Sequence, residues 1–104
     1  MPNPADNPMH AAIVRVIESI PPGQTRSYAD VARDAGCPGR HRLVGRILSV
    51  SLDALPWWRV VYADGRLPPV NPTLQQNKLI DEGVRVEGFR VVPGRHHSNE
   101  RQDY

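Results

Sequence analysis

Three kinds of side chain in this sequence could do chemistry. The first is a sulfur nucleophile. Cys37 is the one cysteine of the chain, and His41 follows four residues later, near enough on a helix to take a thiol proton. An incidental cysteine in a turn would look the same. The second is a cluster of cations: Arg40, Arg42 and Arg46, with His41, crowd residues 35–52, a stretch without a single acid. Twelve of the thirteen basic residues are Arg, whose planar fork suits bidentate contact with phosphate or carboxylate. Such a patch either faces an anion or is a solvated helix face, and charge alone leaves both open. The third is aromatic: Tyr28, Trp57 and Trp58 offer flat faces that stack on a base or fill a core.

The composition narrows the classes. At 104 residues the chain is one domain, and 39% hydrophobic with 23% charged residues is an ordinary globular balance. One cysteine rules out an internal disulfide and leaves no thiol set for structural zinc, so neither metal nor cofactor is expected. No apolar run approaches the ~20 residues of a membrane span, and residues 1–8 lack the basic start and apolar stretch of a secretory signal. A cytoplasmic monomer without membrane contact is the expectation. The net charge of +2 is small, so the placement of the arginines matters more than their sum.

Elements must hold these groups. Three prolines before Met9 and a polar tail predict flexible termini at 1–9 and 93–104 around a folded domain at 10–92. Ile13, Val14, Val16, Ile17 and Ile20 recur at helical spacing until Pro21, Pro22 and Gly23 stop the pattern. Ser27 can cap a second helix over 28–35, with Gly36 as its stop. After the Pro38 and Gly39 turn, a third helix at about 40–50 carries Leu43, Val44, Ile47 and Leu48 on one side and Arg42 and Arg46 on another. Helix, short turn and helix is the helix-turn-helix pattern. Residues 56–62 are rich in aromatic and β-branched types and predict a strand, followed by a turn at 63–66. Pro68, Pro69 and Pro72 then require an ordered loop. Thr73 can cap a last helix ending at Gly83, and 84–92 predicts a hairpin centred near Glu87 and Gly88. The sum is α+β, a small winged-helix-like arrangement.

Five blocks of residues carry a resemblance. Residues 23–28 read Gly-Gln-Thr-Arg-Ser-Tyr, 35–38 Ala-Gly-Cys-Pro, 42–45 Arg-Leu-Val-Gly, 56–60 Pro-Trp-Trp-Arg-Val and 81–83 Asp-Glu-Gly. In order and approximate spacing they resemble the DNA-binding domain of the O6-alkylguanine-DNA alkyltransferases, over roughly residues 10–92. Those enzymes carry a Pro-Cys-His-Arg box whose thiolate takes the alkyl group; here the box holds Trp57 and Trp58. An indole is neither a nucleophile nor a general base at neutral pH. The chain therefore resembles the alkyltransferase-like branch, with tryptophan in place of the cysteine. It departs from most of that branch too, which keeps histidine where Trp58 stands.

The resemblance implies a non-enzymatic damage sensor. It would bind O6-alkylguanine in duplex DNA through the minor groove, flip the lesion into a pocket without transferring the alkyl group, and channel it to nucleotide excision repair proteins. Arg42 matches the finger that fills the hole left by the flipped base, and Ser27, Tyr28, Arg40, Gly45 and Arg46 join it as DNA contacts. The pocket would be formed by Tyr28, Trp57, Trp58, Val60, Arg66, Leu67 and Val70. Along an extended segment neighbouring side chains face opposite ways, so one indole should face the pocket and the other the core; the resemblance, by position in the box, implies that Trp57 takes the pocket. Glu82 and Arg59 match positions around the family's catalytic histidine, where the glutamate orients the imidazole; here a mutual structural pairing is expected. Two competitors remain: an active alkyltransferase using Cys37, which would end with the alkyl group on the protein, and a winged-helix transcription factor, which would prefer one undamaged sequence.

Overall fold

Asn7 sets the start of the first helix: its side chain accepts a hydrogen bond from the Met9 amide at 2.8 Å, and Pro8 supplies the preset φ of a first helical residue. The computed structural model describes residues 7–51 and 54–92. Helix α1 (Pro8–Glu18) thus begins ahead of the domain boundary expected at residue 10, because residues 7–9 are cap and first turn; the rest of both expected flexible termini lies outside the described residues. Ile13 and Ile17 on its inner side, with Ile20 just beyond, pack against Val31 and Ala32 of α2 (Tyr28–Asp34) and Val44, Ile47 and Leu48 of α3 (His41–Val50). Ser27 caps α2, its Oγ accepting from the Asp30 amide at 2.9 Å. Gly36 follows at a φ of 83°, a left-handed conformation that costs glycine little. Helices α2 and α3 form the expected helix-turn-helix.

The aromatic stretch departs from the expected strand. Trp57–Arg59 is a single turn of 3₁₀ helix, closed where the Arg59 amide donates to the Pro56 carbonyl at 3.1 Å, and only Val60–Val61 (β2) is extended. Strand β2 pairs in parallel with β1 (Arg26–Ser27), which the sequence reading missed: two residues before a helix are too few to show alternation. Val60 and Val61 point to opposite sides. Val60 completes the helical core, whereas Val61 joins Leu67, Leu79, Val84 and Val91 in a second cluster.

Helix α4 (Pro72–Asp81) contributes Leu79 to that cluster. Its cap is Asn71, which accepts from the Leu74 amide at 3.4 Å, and not Thr73. Pro72 takes the first helical position, so the start signal lay in the Asn-Pro pair. Strands β3 (Val86–Glu87) and β4 (Arg90–Val91) then form the hairpin. Its turn residues are Gly88 and Phe89, one position later than expected, with φ of 58° and 59°, the positive pair of a type I′ turn. An isolated bridge between Arg66 and Arg90 ties the hairpin to the loop after β2. The architecture is the small α+β, winged-helix-like one expected.

Candidate functional site

Where α3, the 3₁₀ turn and the start of α4 meet, an apolar cavity of about 290 Å³ opens. Tyr28, Gly45, Leu48 and Ser49 line it from the helix-turn-helix side, and Trp57 from the 3₁₀ turn. Pro68, Val70, Asn71, Leu74 and Gln75 complete the wall. Tyr28 lies close against α3 because residue 45 has no side chain: a Cβ there would sit 3.4 Å from the ring's Cε2. Its ring also meets Tyr62, with centroids 5.8 Å apart. Burial, then the nearby Tyr62, holds the Tyr28 phenol above its ordinary value of 10.0, so at neutral pH it is an uncharged O–H donor.

The two indoles stand edge to face, 6.1 Å between centroids and 89° between planes. Trp57 turns to the cavity. Trp58 turns away and donates from Nε1 to Glu82 Oε2 at 2.9 Å, with the cations of Arg59 and Lys78 over its ring at 5.1 and 4.7 Å. The divergence comes from the tight turn and not from strand alternation, since the segment is not extended.

Glu82, at the C-terminal cap of α4, gathers the surrounding donors. Arg59 Nε donates to its two oxygens at 3.1 and 3.2 Å, the Gly23 amide donates at 3.1 Å, and Arg59 Nη1 reaches the Ile20 carbonyl at 2.9 Å. The Arg59 and Glu82 side chains are only 12% and 15% exposed. Burial pushes the Glu82 carboxyl up, but the hydrogen bonds from Arg59, Trp58 and Gly23 and the Arg59 charge together outweigh it and hold the group below its ordinary 4.5.

Of the expected pocket residues, Tyr28, Trp57 and Val70 line the cavity; Trp58, Val60, Arg66 and Leu67 do not. Val60 is fully buried among the helices, and Leu67 lies in the second cluster at 6% exposure. Arg66 is an exposed residue paired with Asp64 at 2.7 Å and poised over the Tyr62 ring. Gly45, expected as a DNA contact, lines the cavity. Arg40, Arg42 and Arg46 are all exposed, and among the described residues no carboxylate comes within ion-pair distance of them. The Ser27 hydroxyl is engaged as the α2 cap. Cys37 is packed in the helical core at 8% exposure and is not part of the cavity wall; His41 is exposed.

Leu48, Ser49, Asn71, Leu74 and Gln75 were not anticipated, whereas Pro68 belongs to the 66–70 loop expected to close the pocket. Gln75 is the most informative of these, buried at 2% with its Nε2 donating to the carbonyls of Trp58 at 3.1 Å and Val60 at 3.0 Å. It stands four residues before the buried Leu79, a polar group on the inner side of a helix, legible once the helix start is placed at Pro72.

The site is therefore a one-mouthful apolar cavity beside an Arg-bearing helix of a helix-turn-helix pair. Over residues 8–84 the chain matches the family described as 6-O-methylguanine DNA methyltransferase, DNA binding domain. The chain belongs to this family. Within it, the likeness is to the alkyltransferase-like branch, as Trp57 in place of the box cysteine implies. The chain is similar to the DNA base-flipping protein of Escherichia coli (strain K12), 38% identical over 78 residues that cover 71% of this chain and 60% of that one. To the DNA base-flipping protein of Vibrio parahaemolyticus serotype O3:K6 (strain AQ3810) it is 37% identical over 78 residues, 71% of this chain and 78% of that one. It thus spans about 60% of the length of the Escherichia coli relative. The fold is similar to that of S. pombe Atl1 in a crystal structure with damaged DNA containing O6-carboxymethylguanine, at a TM-score of 0.68 and 25% identity over 76% of this chain and 79% of that one. In this family's frame the hairpin β3–β4 lies beyond the matched segment.

Proposed function

We propose that this chain is a lesion sensor that captures O6-alkylguanine in duplex DNA from the minor groove, holds the flipped base in the Tyr28 and Trp57 cavity, and leaves the alkyl group in place. The observation that carries this is the cavity itself. At about 290 Å³ it lies at the small end of the roughly 300–1,000 Å³ range of ligand pockets, a size for one extruded base. Its walls are apolar and aromatic, and its lining contains no thiol. Flipping costs a few kcal/mol, less for a weakly paired damaged base. Stacking against an aromatic wall returns about 1–3 kcal/mol, and the exposed Arg42, free of carboxylates among the described residues, can occupy the vacated stack. The relatives named as base-flipping proteins support the same chemistry.

Without transfer, the bound lesion must be passed on, and nucleotide excision repair is the route we assign to it. An enzyme acting through Cys37 is disfavoured because that sulfur is packed among helices. The test is a titration of the protein against otherwise identical duplexes with guanine or O6-methylguanine at fixed salt, followed by intact-mass measurement of the protein. Preference for the lesion with an unchanged protein mass supports the sensor. Equal affinities remove it, and a methyl adduct replaces it with a transferase.

A further inference from the structure

Beside the cavity a chain of stacked groups leads from the helix-turn-helix to the hairpin. Tyr28, which lies against Gly45 of α3, meets the ring of Tyr62, itself not a cavity residue. The Arg66 guanidinium lies over the Tyr62 ring, 5.4 Å from its centroid, and the Arg66 backbone forms an isolated antiparallel bridge with that of Arg90 on β4. All three side chains are solvent-accessible: Tyr62 is 37% exposed, and the Arg66 and Arg90 side chains are 60% and 55% exposed.

The group is held firmly yet left electrically unsatisfied. Asp64 accepts from Arg66 Nε at 2.7 Å and from the Arg66 amide at 3.0 Å, while Arg90 Nη2 stands 3.8 Å from the same carboxylate. One negative charge thus faces two positive ones. Among the described residues, the two Nη groups of Arg66 make no hydrogen bond, so the outer edge of its fork is open while its inner edge is fixed. The Leu67 amide donates to the Phe89 carbonyl at 2.8 Å and the Tyr62 amide to the Arg66 carbonyl at 3.0 Å, which binds loop and hairpin into one unit. A planar fork with its inner edge restrained and its outer edge free is suited to a phosphate oxygen pair. The exposed tyrosine ring beside it suits a sugar or an unstacked base edge.

We propose that Tyr62, Arg66 and Arg90 form a second seat for the sugar–phosphate backbone, extending the DNA footprint from α3 across the cavity rim to the hairpin. This rests on the proposed DNA-binding function but not on lesion preference. Phosphate contacts orient the duplex and carry no sequence information, so the seat adds affinity without discrimination.

The test uses the whole chain, titrated with guanine and O6-methylguanine duplexes across a series of salt concentrations. For the Arg66→Ala/Arg90→Ala double variant, affinity for the two duplexes falls by the same factor. The slope of log affinity against log salt becomes shallower by about 1 for each arginine removed. Asp64→Asn keeps an acceptor for the Arg66 amide and removes the opposing charge; it binds both duplexes more tightly, a gain that misfolding cannot imitate. An unchanged slope in the double variant, a loss confined to the lesion duplex, or no tightening in Asp64→Asn overturns the seat. Wild-type protein that binds both duplexes equally defeats the lesion reading alone, since the slope change still reports the seat. Wild-type protein that binds neither duplex defeats both.

Discussion

The indole N–H of Trp58 is hydrogen-bonded to the Glu82 carboxylate at 2.9 Å, in the position where the resembled alkyltransferases pair an imidazole with a glutamate. The donor has been kept and the acceptor lost. An imidazole offers a second nitrogen that can receive a proton, whereas an indole is a donor only. The contact therefore retains orientation without any proton transfer: it fixes Trp58, whose ring stands perpendicular to that of Trp57 at the cavity wall. Trp58→Phe preserves most of the ring and deletes the N–H. Because Arg59 and Gly23 still satisfy Glu82, the loss should be about 1 kcal/mol in chemical denaturation, the value of a single net hydrogen bond. A loss of several kcal/mol would mean that the indole does more than hold one carboxylate oxygen.

Glu82 gives the fold an acid limit. Its carboxyl is held below the ordinary 4.5 in the folded state, so the folded chain binds fewer protons there than the unfolded one. The resulting stability is fully present above the unfolded value and is lost as pH falls through the folded one. Thermal or urea unfolding should show little pH dependence from this group between 7 and about 5, then a decline below about 4.5. Glu82→Gln, which cannot ionise, should be less stable at neutral pH and lose a share of that acid slope. Removing the partner of the 12% exposed Arg59 leaves a nearly buried charge unpaired, a cost of about 3 kcal/mol. A Gln variant with an unaltered acid slope would assign the pH dependence to another carboxylate, with Asp30 next in line, since hydrogen bonds from Arg33 and Ser27 overcome its desolvation and hold it low.

Gly45 allows α3 and Tyr28 to approach. In Gly45→Ala the new methyl group meets the Tyr28 ring at 3.4 Å, an ordinary contact, and the helix interior gains up to about 1 kcal/mol. Gly45→Val adds two further methyl groups beyond that contact, which must displace Tyr28 or fill the cavity. We expect the alanine variant to be at least as stable as wild type with lesion affinity weakened only slightly. The valine variant should remain folded, by circular dichroism, while losing lesion preference at least tenfold in a titration. Equal lesion binding by both would show that the cavity near α3 is not occupied by the base.

Much of the frame was legible because its signals are local. Ile13 and Ile17 mark the inner side of α1, Ser27 and Gly36 bracket α2, and the acid-free run announces the exposed face of α3. The turn at Trp57–Arg59 was not, because the aromatic and β-branched types that favour strands also fit a turn once tertiary bonds decide. Here Gln75 occupies the Trp58 and Val60 carbonyls and Glu82 takes the Trp58 and Arg59 side chains, all from α4 and its end. Likewise the pairing of β1 with β2 joins distant residues with no local trace. For the cavity, resemblance placed Tyr28, Trp57 and Val70, but Asn71, Leu74 and Gln75 depend on the register of α4, which shifts once Asn71 replaces Thr73 as its cap.

Restoring the box should restore the chemistry only if both tryptophans change together. Trp57→Cys places a thiol at the cavity wall, yet with Trp58 still present no neighbouring imidazole can take its proton, and a thiol near its ordinary pKa of about 8.5 is mostly uncharged at neutral pH. Trp58→His alone supplies a base, oriented by Glu82 in the manner of the present indole, but with no nucleophile to serve. In the Trp57→Cys/Trp58→His variant the thiol, imidazole and carboxylate follow one another from the cavity to the end of α4, supported by the Arg59 pair already in place. Incubated with O6-methylguanine duplex, the double variant should gain one methyl group by intact mass, and each single variant far less. The two smaller side chains leave a void, so the double variant should also unfold more readily, by about 3 kcal/mol or more. If it is folded yet takes up no methyl group, the spacing between Trp57 and the bound lesion is wrong for transfer, and the chain has lost more of the enzyme's geometry than two side chains.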